Sequence, residues 1–300
     1  MSRKDSISID PVLTELARGE KSQMLYFEKL FPIVSVKKER GKIPAYLSVL
    51  NKKYKTERAL RAGSNVRNPA DVEKIDYLCD EHDISATIDK RELEESDLPL
   101  ERREMFNNQK IIEYGIEREA AELATNVANF DPENVEVLSG TDLFDDPASK
   151  PLLTLSNAIN TLQLQLGADY DLNMVISKPI WDVLKEHPTI VGKIQYSMKG
   201  IVTEDILKEI IGLKGSITVA DSVDDGNYIW GKNIILGIVP KMVDSVYTPS
   251  FGYTFRKKGY PYVDTFTENG GKLKNIRYTD CYDIKIMSGQ NGFLLLNCIS

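Results

Sequence analysis

Residues 96–130 read SDLPLERREMFNNQKIIEYGIEREAAELATNVANF, and the organisation of the chain turns on this stretch. Ser96-Asp97 supplies capping chemistry, Pro99 suits a first helical turn, and acidic residues crowd the start, where the helix dipole favours them. Ile112, Ile116, Ala120, Leu123, Val127 and Phe130 fall at i, i+4, i+8, i+11, i+15 and i+18, which is one apolar stripe. The spacing predicts a single helix running to Phe130, stopped by Asp131-Pro132. At ~1.5 Å per residue it would be ~45 Å long, more than a globular core of this size requires. Gly115 is its weak point.

Upstream of this helix the chain looks unable to fold alone. Residues 1–36 read as an arm: Asp10-Pro11 opens a short helix through Leu13, Leu16 and Ala17, and Gly19 stops it. The run Leu30-Phe31-Pro32-Ile33-Val34 reads as helix passing into extended chain. Residues 37–95 carry few apolar residues. A strand pattern surrounds Tyr46-Leu47-Ser48-Val49, residues 58–69 are turn-rich, and Tyr77-Leu78-Cys79 and Ile84 to Ile88 read as two further strands. An excursion of that length is functional or disordered, and strand signals on both limbs favour an ordered hairpin supported from outside the subunit.

Downstream of Val135 the pattern is that of an ordinary α+β domain. Pro147 to Ser149 leads into a helix with Leu152, Leu155, Ile159, Leu162 and Leu166 on one face. Asn173 to Ile176 is a strand, Ser177 caps a helix closed by His187-Pro188, and Thr203 caps another that Gly212 ends. Ser216 to Ala220, Tyr228 to Trp230 and Ile234 to Val239 read as strands, the last apolar on both faces and so central. Phe251, Tyr253 and Phe255 alternate as one core face, Tyr262-Val263, Phe266 and Tyr282 to Met287 are extended, and Phe293 to Leu296 is apolar. Gly289-Gln290-Asn291-Gly292 reads as a hairpin turn.

Composition narrows the function. The 300 residues are 42% hydrophobic and 28% charged, a globular composition, and no apolar run reaches the ~20 residues of a membrane helix. Residues 1–5 lack the apolar core of a secretory signal, so the expected setting is a cytoplasm, which the resemblance given below makes that of a bacterial host. Cys79, Cys281 and Cys298 are scattered and read as free structural thiols. Two histidines, His82 and His187, offer little for acid–base catalysis. There is no phosphate-binding loop or nucleophile elbow. Cys79-x-x-His82 has no second ligand pair, and the acid pairs Asp145-Asp146 and Asp224-Asp225 sit among turn-formers. The expectation is no catalytic residue, no metal and no cofactor.

Charge distribution says more than the net value of −7. Lys37, Lys38, Arg40, Lys42, Lys52, Lys53, Lys55, Arg58, Arg61 and Arg67 face only Glu39 and Glu57 within 37–67, whereas 71–104 is acidic, with Glu94, Glu95, Glu101 and Glu104 at its end. A nucleic-acid arm, a solvated loop, and contact with the acidic stretch of a neighbouring copy are three readings of this asymmetry, and pairing within one hairpin competes with the last. Opposite charges on one polypeptide make identical copies complementary head to tail. The candidate inter-subunit residues are therefore Lys52, Lys53, Lys55, Arg58, Arg61, Arg67, Glu94, Glu95, Glu101 and Glu104.

In order, an arm, an extended loop, a long helix and a compact α+β region resemble the Hong Kong 97-type coat proteins of tailed phages. Sequence words match across nearly the whole chain: Leu30-Phe31-Pro32-Ile33-Val34, Thr56-Glu57-Arg58-Ala59 followed by Arg61, and Leu138-Ser139-Gly140-Thr141 through Asp146 to Pro151. Further matches are Met174 to Pro188 with its Ile180-Trp181-Asp182, Gly200 to Glu204, Tyr228 to Lys232 and Pro249 to Phe255. The resemblance implies an N-terminal arm (1–36), an E-loop (37–95), a spine helix with the first part of a P-domain (96–148), mainly A-domain over 149–245, and return strands over 246–300. It implies a major capsid protein, located in the virion, that self-assembles into hexamers and pentamers of an icosahedral head around double-stranded DNA contacted non-specifically. A separate scaffolding protein, a portal and a decoration protein are the implied partners. An encapsulin-type compartment, a soluble nucleic-acid binder using 37–67, and a hydrolase using an acid pair are the rival readings.

Overall fold

The computed structural model describes residues 8–19, 25–45, 56–58, 60, 63–65, 73–166, 170–194, 202–240 and 249–300. In chain order the elements are β1 (Ser8–Ile9), α1 (Pro11–Gly19), β2 (Ile33–Val36), β3 (Arg40–Ala45), β4 (Glu73–Leu78), β5 (Asp80–Asp89), α2 (Lys90–Glu95), α3 (Leu100–Thr125), β6 (Val135–Val137), α4 (Pro151–Leu166) and β7 (Leu172–Ser177). There follow α5 (Lys178–Glu186), α6 (Pro188–Ile194), α7 (Glu204–Ile211), β8 (Ile217–Ala220), β9 (Val223–Asp224), β10 (Asn227–Tyr228), β11 (Ile234–Ile238), β12 (Gly252–Lys257), β13 (Tyr262–Glu268), β14 (Leu273–Ile286) and β15 (Gly292–Leu296).

Two sheets carry the body. In the first, the 14-residue β14 takes β13 and then β12 along one edge, and β5 along the other in an unbroken antiparallel register from Leu273↔Asp89 to Tyr282↔Asp80. The arm completes this sheet at both ends: β2 adds in parallel to β12, and β1 pairs with β13. The second sheet runs β6-β15-β11-β7-β8. Its central strand alternates between two cores. Ile234, Leu236 and Ile238 face the cluster formed with α4 to α7, and Ile235 faces the cluster formed with α3 and the arm. Both faces are covered, which is why the sequence there is continuously apolar.

The long helix forms where the stripe places it, with Met105, Ile112, Ile116 and Ala120 buried. Each large aliphatic side chain so buried contributes about 1.5–3 kcal/mol. The helix stops at Thr125, five residues before the expected end at Phe130. Asn126 takes an extended conformation (φ −81°, ψ 114°), and its side chain accepts the Ala128 N–H at 3.0 Å, opening a 3-10 turn. Val127 is half exposed, so no packing holds it on the stripe, while Phe130 turns in to stack on Phe251 at 5.2 Å. The 26 residues span about 39 Å. Ser96-Asp97 does not cap this helix: the N-cap position is Pro99, and Ser96 closes a turn by accepting the Leu98 N–H at 3.1 Å. Ahead of it lies the unexpected α2, held by a capping box between Asp89 and Glu92.

Other expectations hold locally. Asp10 accepts the N–H groups of Val12 and Leu13, both at 3.0 Å, Thr203 caps α7, and Gly212 ends it with φ 69°. Ser177 occupies the N-cap position of α5, yet its buried hydroxyl makes no capping bond. Of Tyr228 to Trp230, only Tyr228 is strand, paired in a two-residue hairpin. Gly289 to Gly292 is not a hairpin turn but a 3-10 crossover from one sheet to the other. Close packing demands glycine there, because a Cβ at Gly292 would lie 2.4 Å from the Phe251 ring. Tyr46 to Val49 lie outside the described residues.

A buried carboxylate locks the arm to the helix. Glu117, fully buried on α3, accepts the N–H groups of Tyr26 (2.9 Å) and Phe27 (3.0 Å), the Trp230 indole N–H (2.6 Å) and the Ser222 hydroxyl (3.4 Å). Burial pushes this carboxyl above the ordinary carboxylate range, and the four donors pull it back. Glu117→Ala would strand those donors in the core. We expect it to lower the unfolding free energy of the unassembled subunit by about 3 kcal/mol in urea titrations, against less than about 0.5 kcal/mol for Glu122→Ala on the exposed face.

Candidate assembly surface

The surfaces singled out by charge fall into two places. The basic stretch belongs to a hairpin in which β3 and β4 pair antiparallel from Arg40↔Leu78 to Ala45↔Glu73. Of the basic candidates, Arg58 is described and exposed, next to the turn where the Asn65 amide donates to the Glu57 carbonyl at 3.1 Å; Leu60 is 92% exposed. Lys52, Lys53, Lys55, Arg61 and Arg67 lie outside the described residues. The acidic candidates sit on the body. Glu94 and Glu95 are on α2, Glu101 and Glu104 on the first turns of α3, with the exposed Leu98 between them.

The body already answers part of that acidic charge. Glu94 lies 3.6 Å from Lys90, Glu101 2.6 Å from Lys274, and Glu104 2.9 Å from Arg103. Lys42 and Asp76 pair across the hairpin at 3.2 Å, so the intra-hairpin reading is realised at that rung. These are exposed or half-exposed pairs, each contributing about 0–1 kcal/mol. They leave the carboxylates available to a stronger partner.

β5 pairs with β14 in the body, so among the described residues the strands that lie outside both large sheets on this excursion are β3 and β4. The root of their hairpin is packed from within the subunit, against the expectation of support solely from outside. Ile43, Tyr77 and Cys79 join Val36, Tyr253, Phe255, Cys281 and Met287 in a small apolar cluster. The Cys79 thiol donates to the Phe255 carbonyl at 3.4 Å, and burial pushes it up to about 12. His82 stacks on Tyr282 at 4.4 Å. Neither is aimed at a shared ligand, and among the described residues no group of three or more His, Cys, Asp or Glu could hold a metal ion. All three cysteines are free and buried.

The acid pairs are used locally as well. Asp145 accepts the Ser300 N–H at 3.2 Å and Asp146 the Ala148 N–H at 2.8 Å. Asp224 pairs with Arg118 at 3.1 Å, and Asp225 forms the β9–β10 turn with φ 46°. Among the described residues no helix is long and apolar enough to cross a membrane. The sequence reading missed the Glu117 network, although Gln109, Glu113 and Glu117 recur every four residues beside the apolar stripe, a polar row that a buried network would require.

Comparison with known proteins fits this architecture. A phage-related protein from Bordetella bronchiseptica superposes with a TM-score of 0.81 at 25% identity, over 98% of each chain. The capsid of cyanophage P-SCSP1u superposes with a TM-score of 0.61 at 9% identity, covering 92% of this chain and 89% of that one. The SrpI encapsulin from Synechococcus elongatus gives 0.52 at 11%, covering 93% and 90%. No family model matches the chain. The fold is thus that of the Hong Kong 97-like shell-forming coat proteins. Across 295 residues the chain is 40% identical to the major capsid protein of Burkholderia phage BcepMu, covering 96% of this chain and 95% of that protein. It belongs to the phage major capsid protein family, a structural subunit of the virion capsid that assembles with copies of itself.

If Glu95 acts between subunits rather than within one, reversing it should be silent in isolation. Glu95→Lys is expected to change the unfolding free energy of the unassembled subunit by less than about 0.5 kcal/mol, checked by chemical denaturation.

Proposed function

We propose that this subunit forms hexamers and pentamers of the icosahedral head of a tailed phage, closing around double-stranded DNA after assembly in the host cytoplasm. Within 37–95, the hairpin 40–78 reaches over an adjoining copy, and its basic residues Lys52, Lys53, Lys55, Arg58, Arg61 and Arg67 meet Glu94, Glu95, Glu101 and Glu104 there. The supporting observation is the contrast along the hairpin: its root is packed on the body, whereas Arg58 and Leu60 farther out are exposed. A large apolar side chain left in water gains by burial against another molecule. The subunit makes only non-specific contact with DNA, consistent with its net charge of −7. Scaffolding, portal and decoration proteins complete the particle, and the subunit carries out no catalysis. The fold is also found in encapsulins, but the 40% identical relative is a phage major capsid protein, which favours the head over a cargo compartment.

Deleting 52–71 should leave a folded subunit, by circular dichroism and size-exclusion chromatography, that makes no closed shells in negative-stain images. Shells of normal size from the deletion would remove the hairpin from the assembly contact. Reversing Arg58 and Arg61 to Glu should slow assembly, followed by light scattering, most strongly at low salt, since ionic strength screens exposed charges over a Debye length of about 8–10 Å near physiological salt. Equal slowing at every salt concentration would show that the contact is not electrostatic.

A further inference from the structure

The hairpin joins the body on its return limb through one residue. β4 ends at Leu78, β5 begins at Asp80, and Cys79 alone lies between them. β4 pairs with β3 whereas β5 pairs with β14, so the strand changes partners within that residue. The Cys79 N–H donates to the Glu39 carbonyl at 2.8 Å, which extends the β3–β4 ladder by one residue, but β3 and β4 pair only with each other, so strand pairing does not itself set the angle between hairpin and sheet.

Side chains of the small apolar cluster bridge hairpin and body, and among them Tyr77 carries an aromatic ring. Its ring stacks on Phe255 of β12, centroids 4.9 Å apart and planes inclined by 29°. Its other neighbour is Gly41, its cross-strand partner on β3. A Cβ at Gly41 would lie 2.6 Å from the Tyr77 hydroxyl oxygen and 2.7 Å from the ring, so the aromatic plate fits against that strand because glycine is there. The Tyr77 hydroxyl donates to the Lys38 carbonyl at 3.3 Å, and the neighbouring Leu78 N–H donates to the Asp283 carboxylate of β14 at 2.8 Å. Tyr77 is buried although Lys74, Asp76 and Leu78 on the same strand are exposed. Its ring thus fills the space between a strand of the hairpin and a strand of the body.

We infer that Tyr77, seated between Gly41 and Phe255, is a positioning residue for assembly: it fixes the angle at which the β3–β4 hairpin leaves the body and so determines where residues 46–72 arrive on an adjoining copy. This rests on the proposal that the hairpin reaches a neighbour. Residues that never touch the neighbour would then control whether shells close, because an angular error at the root is multiplied along the hairpin and again around every capsomer.

The test uses the full-length chain with spin labels on the exposed positions Lys74 and Lys272, each changed to Cys, and pulsed electron resonance on the unassembled subunit. Gly41→Ala, which wedges a methyl group under the ring, and Tyr77→Leu, which removes the plate, should both shift or broaden the distance distribution. Both should keep the thermal midpoint within about 3 °C, the scale of a peripheral change, and lower the yield of closed shells on the order of tenfold, the penalty of a misplaced multivalent contact. Should Gly41→Ala fail to fold, Tyr77→Leu carries the test alone. An unchanged distance distribution overturns the positioning role, whatever the shells do. A changed distribution with shells at the normal yield overturns the link to assembly. In that second case the 52–71 deletion tells the two failures apart: shells from the deletion mean the hairpin makes no assembly contact, and no shells mean the contact tolerates the altered angle.

Discussion

A single carboxylate organises the body. Glu117 brings together three segments far apart in sequence, since it accepts hydrogen bonds from the arm at Tyr26 and Phe27 and from Ser222 and Trp230, while itself standing on α3. A charged group in the core is tolerable only if its acceptor capacity is filled, so the geometry of all three segments is fixed jointly. The arm, once held at Phe27, runs on through Leu30 and Phe31 into β2 and adds a parallel strand to β12. Trp230, held by the other oxygen of the same carboxylate, closes the β9–β10 excursion over the helix, where Arg118 and Asp224 reinforce it. Tyr26 adds a further tie by donating to Asp221 at 2.5 Å.

The hairpin lives under different physics. Its root joins a small apolar cluster, but beyond the root the described residues are exposed. On the proposed reading, the polypeptide divides into a body packed by its own cores and a hairpin that gains its remaining order from contact with another copy. Self-assembly of one chain into a closed shell requires this kind of complementarity, with donor and acceptor surfaces at different places on the same molecule. The exposed Glu94–Lys90 pair fits that logic, since a weak surface pair can be exchanged for an intermolecular one at little cost.

Much of the body was legible because its signals are periodic. The α3 stripe from Ile112 to Ala120, the α4 face from Leu152 to Leu162, the doubly apolar β11 and the alternating Phe251, Tyr253 and Phe255 are buried as read, whereas Val127 at the far end of the stripe is not. The misses occurred where a local competitor won. Asn126 ends α3 early because its side chain offers the backbone an alternative to the helix, which periodicity does not register. Gly289 to Gly292 looked like a hairpin turn because glycine marks turns, yet its glycines serve close approach to Phe130 and Phe251. The return limb was the hardest to place. β5 is largely polar, and nothing in its composition says that it pairs with β14 nearly two hundred residues away; that partnership belongs to tertiary structure. The charge asymmetry, by contrast, was plain in the sequence, but charge alone does not say which copy of the chain answers it.

A reconstruction of the assembled particle by electron cryo-microscopy, at a resolution that traces side chains, bears most directly on the central claim that the projection is completed by a sister subunit. The account predicts density for 46–72 lying across the α2–α3 junction of an adjoining copy, within contact of Glu95 and Glu101. Density that instead folds 46–72 back onto its own body, with the capsomer closed by other surfaces, would contradict it.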